Sequence, residues 1–487
     1  MFFAGAWDGS FQESALLSSH TVVGSCGQCL DDSVYFFPPS DMYLWLNMIV
    51  TETKVLVSNS LAFLLSSAQE ELCIEYPDYH FDLLHFRRWG LRKPTCELPT
   101  KSGRSVQLVK WENFSFDSQL NFKIHSKPHP AEPQDFQEYF EHLSRSVKRT
   151  IDNANDHSRQ VRYRPKTTIS TGYDSTTLSV LAAAAGCREA LTFSTQHQDL
   201  TKSNDSGLKI GQLLGLQVKE YPRRAYQDLT NLVEAEFSAS MPRPGGAPMA
   251  VAEPEVEGSI LLMGRPGEDF WGLDEIYNLP DLICPDAQNT AGSSYNEFFL
   301  RTGTLQFRAA YIGAIHRLAL QRISLSKEMM PWRIGGTYDR PICRRIVEEA
   351  GVPREMFGQD KQGGSAIMKL TDATLEDFQQ FYEQAEIPEW FRSGIRFRGK
   401  DLWDGFIHLT HWLSATRKFQ PQGKQLYKAL IPLTMLSSRK TQRAINWGLR
   451  FRGLDWRFLY LFHWGIERIK PRYQLPEEFS RNLKITR

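Results

Sequence analysis

The chain of 487 residues carries almost no excess charge of either sign: 57 Lys and Arg face 56 Asp and Glu, a formal net charge of +1. A surplus of cations drives sequence-independent binding to nucleic acid, so no nucleic-acid partner is expected. Long hydrophobic runs are absent as well. No window approaches the ~18 apolar residues of a spanning helix, so no transmembrane segment is expected. Met1-Phe2-Phe3-Ala4-Gly5 lacks the basic region and apolar stretch of a secretory leader, and a soluble protein is expected. Cysteine is scarce and scattered, at 26, 29, 73, 96, 187, 284 and 343. Such intervals do not describe a secreted disulfide framework, and a reducing cytoplasm fits better. Repeats and low-complexity tracts are missing. Neither GxxxxGK[ST] nor GxGxxG occurs, which excludes a Walker A loop and a dinucleotide fingerprint.

What remains is a chain long enough for two domains, with 41% apolar and 12% aromatic residues. Residues 1 to about 125 read as short β-branched and aromatic runs between polar turns. Cys26-Gly27-Gln28-Cys29 reads as a turn before a strand, because a structural zinc needs four ligands and no second CxxC follows. Thr53-Lys54-Val55-Leu56-Val57-Ser58 reads as a strand, and Ser58-Asn59-Ser60 could cap a helix through Leu65. Three prolines, at 128, 130 and 133, then block helix and central strand and mark a domain boundary. Phe136, Tyr139, Phe140, Leu143 and Val147 share one face of a predicted helix over 136–151.

Beyond it, apolar strands alternate with amphipathic helices: Thr167-Thr168-Ile169, helix 175–186, Leu191-Thr192-Phe193, helix 205–215, Val218 to Tyr221, and Ile260 to Met263. Alternation of this kind predicts a parallel sheet covered by helices. After about 295 strands become scarce and the chain reads as helical. Residues 439–487 hold twelve Lys and Arg against four Asp and Glu, interleaved with Trp447, Phe451, Trp456, Phe458, Tyr460, Phe462 and Trp464. Two readings stay open there: aromatics packed on the core, or peripheral contact with an anionic surface or protein partner.

One segment carries chemistry. In Ile169-Ser170-Thr171-Gly172-Tyr173-Asp174-Ser175 a strand runs through a glycine-containing turn straight into Leu178 to Ala185. The turn therefore lies at a helix N-terminus, where N–H groups and the dipole favour a pyrophosphate. Ser170 and Ser175 can add hydroxyl donors, and Asp174 could hold a Mg²⁺ ion that neutralises phosphates. Alone, the motif could equally be a capped helix start.

Ser170 to Ser175 resembles the SGGxDS loop of the asparagine synthetase-like ATP-pyrophosphatases, with Thr171 in place of the first glycine. Further elements follow in family order. Ala190 to Ser194 resembles the strand whose end, at Phe193, packs against adenine, and Asp205 to Leu216 resembles the next helix. Leu261-Leu262-Met263-Gly264-Arg265-Pro266-Gly267-Glu268-Asp269-Phe270-Trp271-Gly272 is similar to the SGDGGDELFGG segment, with the two carboxylates exchanged. Gly351 to Ser365 resembles the segment in which a lysine, here Lys361, stands near the α-phosphate. Tyr338-Asp339-Arg340-Pro341 is placed near the same cleft.

The resemblance implies an α/β fold with a parallel-sheet PP-loop domain over 135–400. It also implies a smaller, degenerate glutaminase-like (Ntn-type) α+β domain over 1–128 and a helical extension over 401–487. It implies ATP and Mg²⁺ as cofactors, Asp174 and Glu268 as metal ligands, and Glu268 and Lys361 as catalytic residues. The ATP-binding set is Ile169, Ser170, Thr171, Gly172, Tyr173, Asp174, Ser175, Phe193, Met263 and Gly264. Glutamine-using relatives place a nucleophilic cysteine where this chain has Phe2, so no glutamine hydrolysis is expected. The leading expectation is a ligase that adenylates a small-molecule, peptide or carrier-bound carboxylate and passes the acyl group to an amine, as β-lactam synthetases and lasso-peptide cyclases do. The alternatives are an ammonia-using asparagine synthetase and a nucleotide-binding scaffold without catalysis.

Overall fold

A computed structural model describes residues 2–3, 5–13, 15–194, 204–241, 245–273, 279–284, 294–336, 338–359, 370–392 and 456–473. It is mixed α/β, with one five-stranded parallel sheet, several antiparallel sheets and helices against them.

The antiparallel sheets belong to residues 2–125. One has five strands, in the order Phe2–Phe3, Cys26–Leu30, Ser33–Phe37, Asn113–Asp117 and Phe122–His125. A second has four, Val55–Ser58, Leu46–Val50, Ser105–Val109 and Thr95–Pro99, and a third pairs Ala6–Trp7 with Val22–Val23. The expected turn at Cys26-Gly27-Gln28-Cys29 is corrected here, since all four residues lie within a strand. An interval of three alternates sides of a strand, which leaves Cys26 buried and Cys29 exposed, so the pair does not converge on a shared ligand. Ser60 does cap the helix Leu61–Ala68, its side chain accepting from the Phe63 N–H at 2.9 Å.

Residues 126–134 form no helix or strand, as the prolines dictate. The segment is nevertheless pinned. Lys127 is buried and its Nζ donates to the Pro38 carbonyl at 2.9 Å and to Ser40 Oγ at 3.1 Å. The helix Phe136–Ala154 follows, capped by Asp135, with Phe136, Tyr139, Leu143, Val147 and Ile151 buried along one stripe. That stripe joins Ala6, Val23, Met42, Tyr43 and Trp111 to Ile260, Leu262 and Phe307 in one hydrophobic cluster, so the antiparallel and parallel sheets share a core.

The parallel sheet runs Gln217–Pro222, Glu189–Ser194, Arg164–Thr168, Ser259–Leu262 and Leu305–Phe307. Four strands match the sequence reading. The fifth, Leu305–Phe307, was not anticipated, because three residues are too few for periodicity to register. The helix expected over 205–215 is shorter, Leu208–Leu213.

Of the C-terminal segment, residues 456–473 are described. The helix Leu461–Ile469 buries Phe462 and Trp464 against Glu234–Ser240 and Leu61–Ala68. At Gly465 an added Cβ would lie 2.5 Å from the Ala239 nitrogen, so glycine permits the close crossing. Here the aromatics serve the core. No described helix is long and apolar enough to cross a membrane.

Candidate functional site

The strand Arg164–Thr168 comes first in the chain yet lies in the middle of the parallel sheet. The next strand, Glu189–Ser194, adds on one side, whereas Ser259–Leu262 adds on the other. The strand order reverses between them, and in open parallel sheets the carboxyl ends of the strands at such a switch point are where ligands bind. Register decides which loops face each other. Thr167 pairs with Leu262 and Thr168 with Leu191, so the loops after Thr168 and Leu262 emerge side by side.

The first loop is Ile169 to Gly172, which runs straight into a helix carrying Asp174 and Ser175 in its first turn. Ile169 is buried, its N–H donating to the Leu191 carbonyl at 2.8 Å. Gly172 is extended and caps the helix Tyr173–Ala184, one residue pair earlier than the 175–186 expected. Ser170 Oγ and Ser175 Oγ lie 2.6 Å apart, and the Ser170 and Gly172 N–H groups donate to Ser175 Oγ and Ser170 Oγ, each at 3.1 Å. Both serines thus brace the loop itself.

Thr171 has no positive φ, so the backbone accommodates a β-branched residue where the resemblance has glycine. Its hydroxyl donates to Asp205 Oδ1 at 3.0 Å, and its N–H to the Asp205 carbonyl at 3.3 Å. Asp205 was read only as part of a helix. It is a loop residue that ties down the phosphate-loop candidate.

The second loop, Met263 to Pro266, runs into the short helix Gly267–Trp271, which carries Glu268 and Asp269. Met263 is buried, its N–H donating to the Phe307 carbonyl at 3.0 Å. An added Cβ on Gly264 would lie 2.4 Å from the Ser175 nitrogen, and one on Gly267 would lie 2.5 Å from Asp174 Oδ1. Both glycines are therefore points where the second loop presses on the first. Glu268 and Asp269 separate by direction. Glu268 stays near Asp174, whereas Asp269 turns inward, where burial and then the neighbouring Glu268 charge push its carboxyl up to about 6. Phe193, the expected adenine neighbour, is half-buried and tilts against Tyr221 with ring centroids 6.3 Å apart.

A third element closes the site. Arg340, 5% exposed, donates to Asp174 Oδ1 and lies 3.8 Å from Glu268 Oε2. Arg265 lies 3.4 Å from Glu268 Oε1. Burial is the largest influence on Arg340 and works to lower its pKa, but the Asp174 charge, the Asp174 hydrogen bond and the neighbouring Tyr338 and Cys343 together outweigh it, and the guanidinium is held charged. The rings of Tyr338 and Tyr173 flank it at 5.1 and 5.9 Å. Tyr173 is itself fully buried and its hydroxyl accepts from Arg344. Gly358 presses on the Tyr173 ring, and its N–H donates to the Thr171 carbonyl at 2.8 Å. The direct pairing of Arg340 with Asp174 carried no sequence signal, because 166 residues separate the two. Lys361 lies outside the described residues.

Among the described residues no group of three or more His, Cys, Asp or Glu could hold a metal ion. Two carboxylates do meet at one guanidinium, Asp174 from the first turn of the 12-residue helix Tyr173–Ala184 and Glu268 from the first turn of Gly267–Trp271. A Mg²⁺ ion accepts one or two carboxylates when phosphate oxygens complete its shell, so this donor set fits an ion that arrives on a polyphosphate. No protein-family model matches the chain, and no curated protein matches it.

Proposed function

We propose that this chain is a PP-loop ATP pyrophosphatase of asparagine synthetase-like type that adenylates a carboxylate, releases pyrophosphate and forms an amide with an amine not drawn from glutamine by this chain. The observation that carries the reading is the convergence of Asp174 and Glu268 at the helix N-terminus beside the switch point of the parallel sheet.

In this reading the first-turn N–H groups of Tyr173–Ala184 face the β,γ-phosphates, a place where the helix dipole favours negative charge. Asp174 and Glu268 would hold Mg²⁺, which when bound supplies charge neutralisation on the phosphates. Phe193 would border the adenine, with Met263 and Gly264 among the remaining nucleotide contacts. Lys361 is the proposed cation for charge developing at the α-phosphate. The acceptor amine lies on the substrate or arrives from outside. In the same reading residues 1–128 are a degenerate glutaminase-type domain, for which the paired antiparallel sheets give support.

The test is pyrophosphate release and ATP–pyrophosphate exchange with MgATP and a panel of aspartate, amino-acid and peptide carboxylates, with and without ammonium or glutamine. Carboxylate-dependent exchange that Asp174→Ala abolishes is expected. Turnover confined to aspartate plus ammonium would instead establish an asparagine synthetase, and ATP binding without exchange would establish a scaffold. No ATP binding at all, or binding that Asp174→Ala leaves intact, overturns the proposal.

A further inference from the structure

Two carboxylates from different loops repel each other, and their approach at a site this enclosed requires a cation. Arg340 is that cation, but its position invites a second question. It is the N-cap of the helix Pro341–Glu349, where the helix dipole disfavours positive charge. The helix therefore gives no reason for an arginine here, and the flanking tyrosine rings, which would attract any cation, do not require a guanidinium. Asp174 and Glu268 do. The guanidinium is joined to both, and it donates to the Asp174 oxygen against which Gly267 packs, where an added Cβ would lie 2.5 Å away.

We infer that Arg340 is an internal counter-cation that holds Asp174 and Glu268 together in the nucleotide-free protein and gives them up when a metal-bound polyphosphate enters. This rests on the proposed Mg-polyphosphate site. Guanidinium and divalent ion compete for the same carboxylate oxygens and cannot both lie between them. Once released, the planar fork is suited to paired N–H donation to phosphate oxygens, which a lysine at this position would not reproduce. The exchange makes the free protein a poor metal binder and ties metal capture to the arrival of phosphate, so the two carboxylates do not collect a divalent ion in the absence of substrate.

The experiment is a Mn²⁺ titration of the full chain without nucleotide, followed by electron paramagnetic resonance. Arg340→Gln is expected to bind Mn²⁺ at least about tenfold tighter than wild type, because the competing charge is gone. Adding Asp174→Asn should abolish that gain. Metal-free ATP, followed by calorimetry, should bind Arg340→Gln about tenfold more weakly. Arg340→Lys keeps one charge but not the fork that reaches both carboxylates, and is expected to gain about threefold in Mn²⁺ affinity. It serves as the second variant if Arg340→Gln does not fold. Mn²⁺ affinity unchanged or weakened in the folded variants overturns the inference. The metal arm contains no ATP, so the two proposals fail separately. A gain in Mn²⁺ affinity without any ATP binding leaves the counter-cation role of Arg340 standing and removes both the polyphosphate trigger and the adenylation reading; ATP-dependent turnover with no gain overturns the counter-cation role alone.

Discussion

Replacing Gly264 by alanine tests whether the two loops meet as closely as the site requires. The new Cβ would lie 2.4 Å from the Ser175 nitrogen, 2.7 Å from its Cα and 2.8 Å from the Asp174 carbonyl carbon. Carbon contacts settle at about 3.5–4.0 Å, so relief demands a shift of about 1 Å. No side chain can rotate away, because all three atoms are backbone. Either the turn after Leu262 or the first turn of Tyr173–Ala184 must move. Overpacking of this kind costs about 1–3 kcal/mol. At about 2 °C per kcal/mol for a long chain, the Tm falls by about 2–6 °C. The larger effect is on the ligand, since a 1 Å displacement at a positioned site costs up to about a hundredfold. Differential scanning fluorimetry with and without MgATP reads both. Gly172→Ala is the contrast: its Cβ would meet Ser170 Oγ at 3.4 Å and Tyr338 Oη at 3.7 Å, and its backbone is extended, so the Tm changes by about 1 °C. Equal behaviour of the two variants would refute the argument that Gly264 is where the loops touch.

Other outcomes follow from single contacts. Thr171→Gly, although it restores the glycine of the resemblance, loses the hydroxyl bond to Asp205 and adds chain entropy, so urea unfolding should show about 1–2 kcal/mol lost rather than gained. Burial holds His463 neutral, its pKa pushed down to about 4. The unfolded chain takes up a proton below about 6.5 that the folded chain refuses, so stability drops by about 3 kcal/mol as pH falls from 6.5 to 4. His463→Gln should flatten that part of the pH profile, and an unchanged slope would count against the burial. Gly465→Val forces the helix Leu461–Ile469 away from Ala239. Limited proteolysis should then cut between 456 and 473 faster than in wild type.

Much of the framework was legible because it is local. Phe136, Tyr139, Phe140, Leu143 and Val147 on one helical face marked the helix Phe136–Ala154, and the alternation of strands with helices marked four strands of the parallel sheet. Ser60 announced a cap that its own hydroxyl makes. Leu305–Phe307 escaped because it is a strand only by virtue of a neighbour, Ser259–Leu262, that offers it hydrogen bonds. Cys26 to Cys29 was misplaced for a related reason: a glycine suggests a turn, and only pairing with Val34 to Phe37 draws it into a sheet.

The candidate site divides the same way. By itself the sequence determined that a glycine-containing turn would stand at a helix N-terminus and that two carboxylates would follow separate strands, since each depends on neighbours a few residues away. Only the tertiary structure decided that those strands lie side by side in register, that Glu268 rather than Asp269 faces Asp174, and that Arg340 sits between them. Such decisions depend on sheet order and on charges brought together across the chain. Coulomb attraction acts on distance in space, and no sequence interval encodes it.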